Sequence, residues 1–166
     1  MGKCAREGPY LMRLWLSALL MVIGSMAMAA ETACRADRIE LRGDFGLAAF
    51  RIEVAQTPDE RARGLMFREY MAPGAGMLFV FERTGPVAFW MENTLIPLDM
   101  IFVDEAGTVS HIHHNAIPHD RTPIPGGDAV RYVLEINGGM ARALGIDVGA
   151  ELRHPAILQK AAVWPC

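Results

Sequence analysis

The chain has 166 residues, 52% of them hydrophobic, with 16 basic and 19 acidic side chains and a net charge of −3 with histidine neutral. That length builds one domain with a real core and falls short of two domains of ordinary size. A net acid with no run of Lys or Arg argues against nucleic acid or an anionic membrane surface as a partner.

In chain order, Lys3, Arg6 and Arg13 outnumber Glu7, and residues 14–23 are apolar apart from Ser17. Ala27-Met28-Ala29 then gives a small-x-small exit before the chain turns polar at Glu31. A basic start, a short apolar core and a small-residue exit predict a secretory signal peptide over residues 1–29, cleaved after Ala29. The alternative is an uncleaved anchor, which the apolar stretch disfavours by ending short of the ~20 residues that span a bilayer. Cleavage takes the 16 basic and 19 acidic groups down to 13 and 18, a net charge of −5. The expectation is an exported monomer, periplasmic in a Gram-negative source, with no membrane contact after cleavage.

Cys4 leaves with the signal, so Cys34 and Cys166 are the cysteines of the mature chain. In an oxidising compartment an even pair can close into a disulfide, and domain termini are commonly near each other. Two free thiols or a bond to another chain stay open. A lipid on Cys34 is disfavoured by the polar lead-in Glu31-Thr32-Ala33.

Residues 30–37 read as a tether, and residues 38–166 as a single mainly β domain. Residues 38–41 and 47–55 alternate apolar and charged side chains, the signature of half-buried strands joined as a hairpin. The Arg42-Gly43-Asp44 tripeptide between them is better explained by turn chemistry than by adhesion. Thr57, Pro58 and Glu60 form a helix start with a capping box, and Gly64 ends that helix after one or two turns. Residues 77–81 read as a strand buried on both faces. A turn is expected at Thr84-Gly85-Pro86, then strands at 87–91 and 98–103, with Glu92-Asn93-Thr94 turning between them. Asp104 to Gly107 is a hairpin signal with a return strand at 108–114. Residues 119–128, rich in Pro and Gly, read as a long surface loop. A strand at 130–136, a short helix capped by Asn137 and closed by Gly145, and a last strand over 148–153 complete the chain. The fold class is mainly β, a small closed barrel or compact β-sandwich with two short helices.

Four histidines, His111, His113, His114 and His119, crowd one region. On a strand His111 and His113 share a face and could hold a metal, with Asp99 or Asp120 completing the site. The plainer reading is a solvated hairpin end whose ring nitrogens meet water, since no further ligand spacing is diagnostic. A divalent metal is therefore the one cofactor left open, and none is predicted. The methionines sit mostly in apolar strands, where filling a core is their usual task. There is no G-x-S-x-G elbow and no phosphate-cradling glycine loop. Glu92, Asp99 and Glu135 adjoin strongly apolar residues, and two such acids with divergent pKa values could cleave a glycosidic bond.

The stretches E-R-A-R-G-L-M-F-R-E (60–69), G-M-L-F-V-F (76–81), F-W-M-E-N-T-L-I-P-L-D-M-I-F-V-D (89–104) and Y-V-L-E-I-N-G-G (132–139) follow in that order. Together they resemble the bacterial and archaeal family called domain of unknown function 192, over about residues 50–152. The resemblance implies a small, mostly β fold in proteins that are often exported, and no established reaction, substrate or cofactor. Arg63, Gly64, Arg68, Trp90, Asn93, Thr94, Asp99 and Glu135 match polar, aromatic and glycine positions of the family motifs, whereas the histidines lie outside them. Polar groups among buried strands need partners, so Arg63, Arg68, Trp90, Asn93, Thr94, Asp99 and Glu135 are the candidates for lining a ligand cleft. The leading expectation is a non-catalytic binding or accessory protein of the cell envelope, its partner a small molecule, a glycan or an envelope protein. The alternatives are a carboxylate-dependent hydrolase of an envelope saccharide and a metal-binding protein using His111 and His113.

Overall fold

The computed structural model describes Met1, Gly2 and residues 33–166. The expected signal segment beyond its first two residues, and residues 30–32 of the tether, lie outside the described residues. Ala33–Cys166 forms one compact unit. No helix among the described residues is long and apolar enough to cross a membrane.

Seven strands and two short helices follow in the order β1 (Arg38–Gly43), β2 (Gly46–Ala55), α1 (Pro58–Arg63), β3 (Ala75–Phe89), β4 (Leu98–Val103), β5 (Val109–Ala116), β6 (Ile124–Asn137), α2 (Met140–Leu144) and β7 (Glu151–Arg153). They make one mixed sheet in the order β5-β4-β6-β3-β2-β1-β7. Every pairing is antiparallel except β2 with β3, whose parallel register needs the crossover that contains α1. The sheet curls until its two ends approach: Thr108 bridges Glu151, and Val109 N–H donates to the Ala150 carbonyl at 2.8 Å. The result is a half-barrel.

The two faces of the sheet bury separate clusters. One draws Ile39 and Leu41 from β1, Phe50 and Ile52 from β2, Leu78 from β3, Ile101 and Val103 from β4, Ile112 from β5, Tyr132, Leu134 and Ile136 from β6 and Leu152 from β7. A cluster fed by all seven strands is the inside of the curl. The other holds Met77, Phe79, Met100, Phe102 and Val133 on the outer face, covered by Leu65, Met71 and Met91 from the connections. Because both faces are covered, β4 is buried at every residue, as its lack of alternation predicts.

Local signals held where they were self-contained. The Thr57 hydroxyl accepts the Glu60 N–H at 3.2 Å and the Glu60 carboxylate accepts the Thr57 N–H at 2.9 Å, the expected capping box. The β1–β2 hairpin is also present, but its turn falls on Asp44-Phe45 and not on Arg42-Gly43-Asp44, because Arg42 and Gly43 stay in β1, paired with Leu47 and Gly46. In the turn after Met91, Thr94 N–H donates to the Met91 carbonyl at 3.1 Å and Asn93 takes a positive φ of 54°.

Three further expectations are corrected. No turn breaks the chain at Thr84-Gly85-Pro86: β3 runs through it, with register shifts between Val80 and Ala88 that absorb the irregular residues as bulges. Half of the expected 119–128 loop is strand, because β6 begins at Ile124 and pairs Ile124 with Phe89. Pro125 is tolerated there because this part of β6 has β3 as its strand neighbour and β4 joins it only from Tyr132 on. A Cβ on Gly126 would fall 2.0 Å from the Phe102 ring, so the close approach of this ribbon to the outer face requires glycine. Finally, α2 is not capped by Asn137, whose amide instead donates to the Met71 carbonyl at 3.0 Å. The Asp99 carboxylate takes its place, accepting Gly139 N–H at 2.9 Å and Ala141 N–H at 2.7 Å.

The C-terminal segment packs back on the sheet. The Tyr132 hydroxyl accepts Leu158 N–H at 2.9 Å, and the Trp164 ring lies under the guanidiniums of Arg42 and Arg153 at 4.6 and 5.6 Å. His154 is buried, with Nδ1 accepting Ala156 N–H at 3.0 Å and Nε2 3.1 Å from the Ala36 carbonyl. Burial holds this imidazole below its ordinary pKa. Cys34 and Cys166 lie at disulfide distance, 2.12 Å between sulfurs and 132 residues apart in sequence. Closing so long a loop constrains the unfolded chain, so replacing both cysteines by serine is expected to lower unfolding free energy by about 2–5 kcal/mol. Denaturant titration of the oxidised protein and the double variant measures this; equal midpoints would show that the bond adds no stability.

Candidate functional site

Sheet register decides where the buried acids go. On β6, Tyr132, Leu134 and Ile136 face inward, so Val133 and Glu135 face outward, and Glu135 stands between Met77 of β3 and Met100 of β4. Its outward neighbours on β3 are set by the same period: Met77, Phe79 and Phe81 share the outer face. A cavity of about 290 Å³ opens over this patch. Glu135, Phe79, Phe81 and Phe89 line it from the sheet, Trp90 and Thr94 from the turn that follows β3, and the segment from Arg61 to Met66 from the end of α1. Its size is at the low end of ligand pockets, which run from about 300 to 1,000 Å³.

Gly64 fixes the wall that α1 provides. A Cβ there would stand 3.1 Å from the Phe79 ring, and the residue has φ 47°, so glycine lets the chain leave α1 directly over the aromatic surface. Phe89 holds the rings together, meeting Phe79 edge-on at 5.0 Å, Phe102 at 6.0 Å and Phe81 at 6.4 Å. Trp90 is half exposed at the mouth. Arg61 lies over the Phe81 ring and donates to the Gln56 and Val80 carbonyls. The exposed Arg63 guanidinium makes no hydrogen bond or ion pair among the described residues.

Glu135 is 4% exposed, and its carboxyl has no hydrogen-bond or ion-pair partner among the described residues. Burial pushes its pKa up from 4.5 to about 8, so it is mostly a neutral acid at pH 7. Thr94, 5% exposed, donates its hydroxyl to the Glu92 carbonyl at 3.3 Å.

Of the residues expected to border a cleft, Arg63, Trp90, Thr94 and Glu135 come together in this cavity. Arg68 lies in an adjoining groove, clamped to Glu53 by two bonds of 2.5 and 2.6 Å that hold the Glu53 carboxyl below its usual range. Asn93 contributes backbone: its carbonyl accepts Phe67 N–H at 2.8 Å and so ties the turn to the segment after α1. Asp99 is fully buried and away from the cavity walls. Besides α2 it accepts Asn115 N–H at 2.7 Å, so it joins β4 to the end of β5. Glu92 is ion-paired to Arg121 at 2.9 Å.

The two histidines of the metal expectation stand opposite Phe102 and Met100 on β5. His111 stacks on Phe102 at 5.7 Å, and the His113 imidazole is held below its ordinary pKa by burial, then by His111 and His114. No group of three or more His, Cys, Asp or Glu side chains among the described residues converges as metal ligands, so neither Asp99 nor Asp120 completes a site there. The sequence reading missed the phenylalanine walls. In M-L-F-V-F every residue is apolar, and the alternation that separates Phe79 and Phe81 from Leu78 and Val80 has no polar contrast to reveal it.

The two buried acids make opposite predictions. Asp99→Asn removes charge from an acceptor of three backbone N–H groups and is expected to destabilise by about 2–3 kcal/mol. For Glu135, the native state keeps a proton that the unfolded state has lost between pH 4.5 and about 8, so its contribution to stability falls as pH rises through that window. Glu135→Gln removes this dependence. In denaturant titrations at pH 5 and pH 8.5 the variant should gain on the parent by roughly 3–5 kcal/mol between the two. A difference that stays constant with pH would mean that Glu135 is not a desolvated acid.

No curated protein matches the chain. A family model does: DUF192, described as "Uncharacterized ACR", matches residues 39–154. Among solved structures, a protein of unknown function from Novosphingobium aromaticivorans is 43% identical with a TM-score of 0.68, over 69% of this chain and 82% of that one. A candidate transcription regulator from Sinorhizobium meliloti is 42% identical with a TM-score of 0.69, over 74% of this chain and 95% of that one. With the family motifs standing at the cavity, the parallel crossover and the two buried strands, this chain belongs to the DUF192 family.

Proposed function

We propose that the domain is a non-catalytic binding module of the cell envelope, and that the cavity over the outer face of the sheet holds a small molecule. The observation that carries the reading is the Glu135 carboxyl, buried and without a partner at the floor of a cavity walled by Phe79, Phe89 and Trp90. With no protein group bonded to it, this carboxyl must take its hydrogen bonds from whatever fills the cavity, water or a ligand. Apolar walls with few polar groups suit a small, largely apolar ligand better than a glycan, which needs a hydrogen-bond partner for each hydroxyl. The half-exposed Trp90 supplies a flat face at the entrance.

The hydrolase alternative needs a second carboxylate across the reacting bond. Asp99 is committed to three backbone N–H groups and Glu92 to Arg121, so Glu135 stands without such a partner in the cavity wall. The acidic balance of the chain also gives no support to nucleic-acid binding, whatever the activity of the Sinorhizobium relative.

A mixed library of small aromatic and aliphatic fragments, screened by amide and indole chemical shifts on the purified protein, tests this reading. Binding should move the signals of Gly64, Thr94 and the Trp90 indole together, and Trp90→Ala should weaken the hits about tenfold, a loss of ~1.4 kcal/mol. Shifts that cluster elsewhere, or hits indifferent to Trp90→Ala, would sink it.

A further inference from the structure

The chemistry of the cavity narrows the ligand further, on the reading that the cavity is a ligand site. A carboxylate offers about four lone-pair sites. The wall has donors of its own, the Trp90 indole and the Arg61 and Arg63 guanidiniums, but none of them bonds to Glu135 among the described residues. Its strand neighbours Met77 and Met100 are thioethers, and the Thr94 hydroxyl is spent on the Glu92 carbonyl. The charged groups sharing the cavity wall with it, Arg61 and Arg63, both come from α1, and Arg61 is held by two carbonyls and the Phe81 ring. What is missing at the floor is therefore a compact donor of several N–H bonds that also carries positive charge, which describes an ammonium group.

The walls point the same way. Phe79, Phe89 and Trp90 line the cavity beside Phe81, whose ring Arg61 already covers, and the negative faces of aromatic rings stabilise a cation most where water is excluded. The rim adds the opposite requirement. Arg63 is exposed and without a partner, so a bare cation meets a like charge on entry, whereas a ligand that also carries an acid gains from it.

We infer that the cavity takes a small zwitterion with an apolar body, an amino acid with a hydrocarbon or aromatic skeleton being the simplest member. Its ammonium donates to Glu135, its apolar part lies against the phenylalanines and Trp90, and its carboxylate meets Arg63. At pH 7 the neutral acid gives its proton to buffer as the ammonium arrives, leaving a carboxylate–ammonium pair in the aromatic box.

Calorimetry and chemical-shift titration with leucine, phenylalanine and 6-aminohexanoate, each beside its N-acetylated form and its decarboxylated amine, decide the matter. At least one parent zwitterion should bind at least tenfold more tightly than its N-acetylated form. Titrations at pH 7 in buffers of different ionisation enthalpy should show release of close to one proton per ligand. Glu135→Gln should abolish both the preference and the proton release, and Arg63→Ala should weaken the zwitterion while binding of the decarboxylated amine holds or improves, as loss of a like charge requires. N-acetylated forms that bind as well as the parents would overturn the ammonium assignment and leave a cavity for apolar ligands held without an amine. Amines that bind as well as zwitterions would overturn the role of Arg63. If no zwitterion, acetylated form, amine or fragment shifts the Trp90 indole, the ligand-site reading fails with it.

Discussion

Most of the architecture follows from burying β6 on both faces between β3 and β4. From Tyr132 to Ile136 no side chain of β6 reaches solvent freely: the inward set completes the core of the curl, and the outward set lies under the loops that cover the outer face. A strand in that position normally carries nothing but hydrocarbon. Glu135 breaks the pattern, and because backbone pairing on both sides fixes its direction, the protein cannot turn it to water. The cover over the outer face must leave a space at the carboxyl, and the exit of the chain from α1 at Gly64 frames that space.

Asp99 and Glu135 show how one residue class acquires two roles. Both sit in apolar runs of central strands, and both are nearly or wholly buried. Asp99 faces α2 and the end of β5, where freed backbone N–H groups converge, and it serves as the cap that α2 lacks from its own sequence. Glu135 faces rings and thioethers. The first acid is part of the scaffold, and the second is the group the scaffold presents.

The sequence was legible wherever the physical cause lies within a few residues. The Thr57–Glu60 capping box and the turn at Asn93 each depend on neighbours in the chain. The extent of β3 and β6 was not legible, because Gly85-Pro86 and Pro125-Gly126-Gly127 read as turns until a partner strand is present to take them up as bulges. For the site, Arg63 announced itself by its place in the motif E-R-A-R-G-L-M, and Trp90, Thr94 and Glu135 as polar or aromatic groups in apolar surroundings. Asp99 announced itself in the same way, and nothing local separates it from Glu135, since the N–H groups that satisfy it come from 16 to 42 residues further along.

The place of β1 has a consequence for the order in which the fold can form. This first strand is sandwiched between β2 and β7, and its partner on one side is the last strand to be synthesised. Until residue 153 is available, one edge of β1 presents unpaired backbone N–H and C=O groups, the kind of template on which chains aggregate. The two sulfurs follow the same schedule, since Cys34 waits for Cys166 at the far end of the sequence. A chain that stops short of residue 153 therefore carries an open edge on β1, and one that stops short of Cys166 carries Cys34 without its partner.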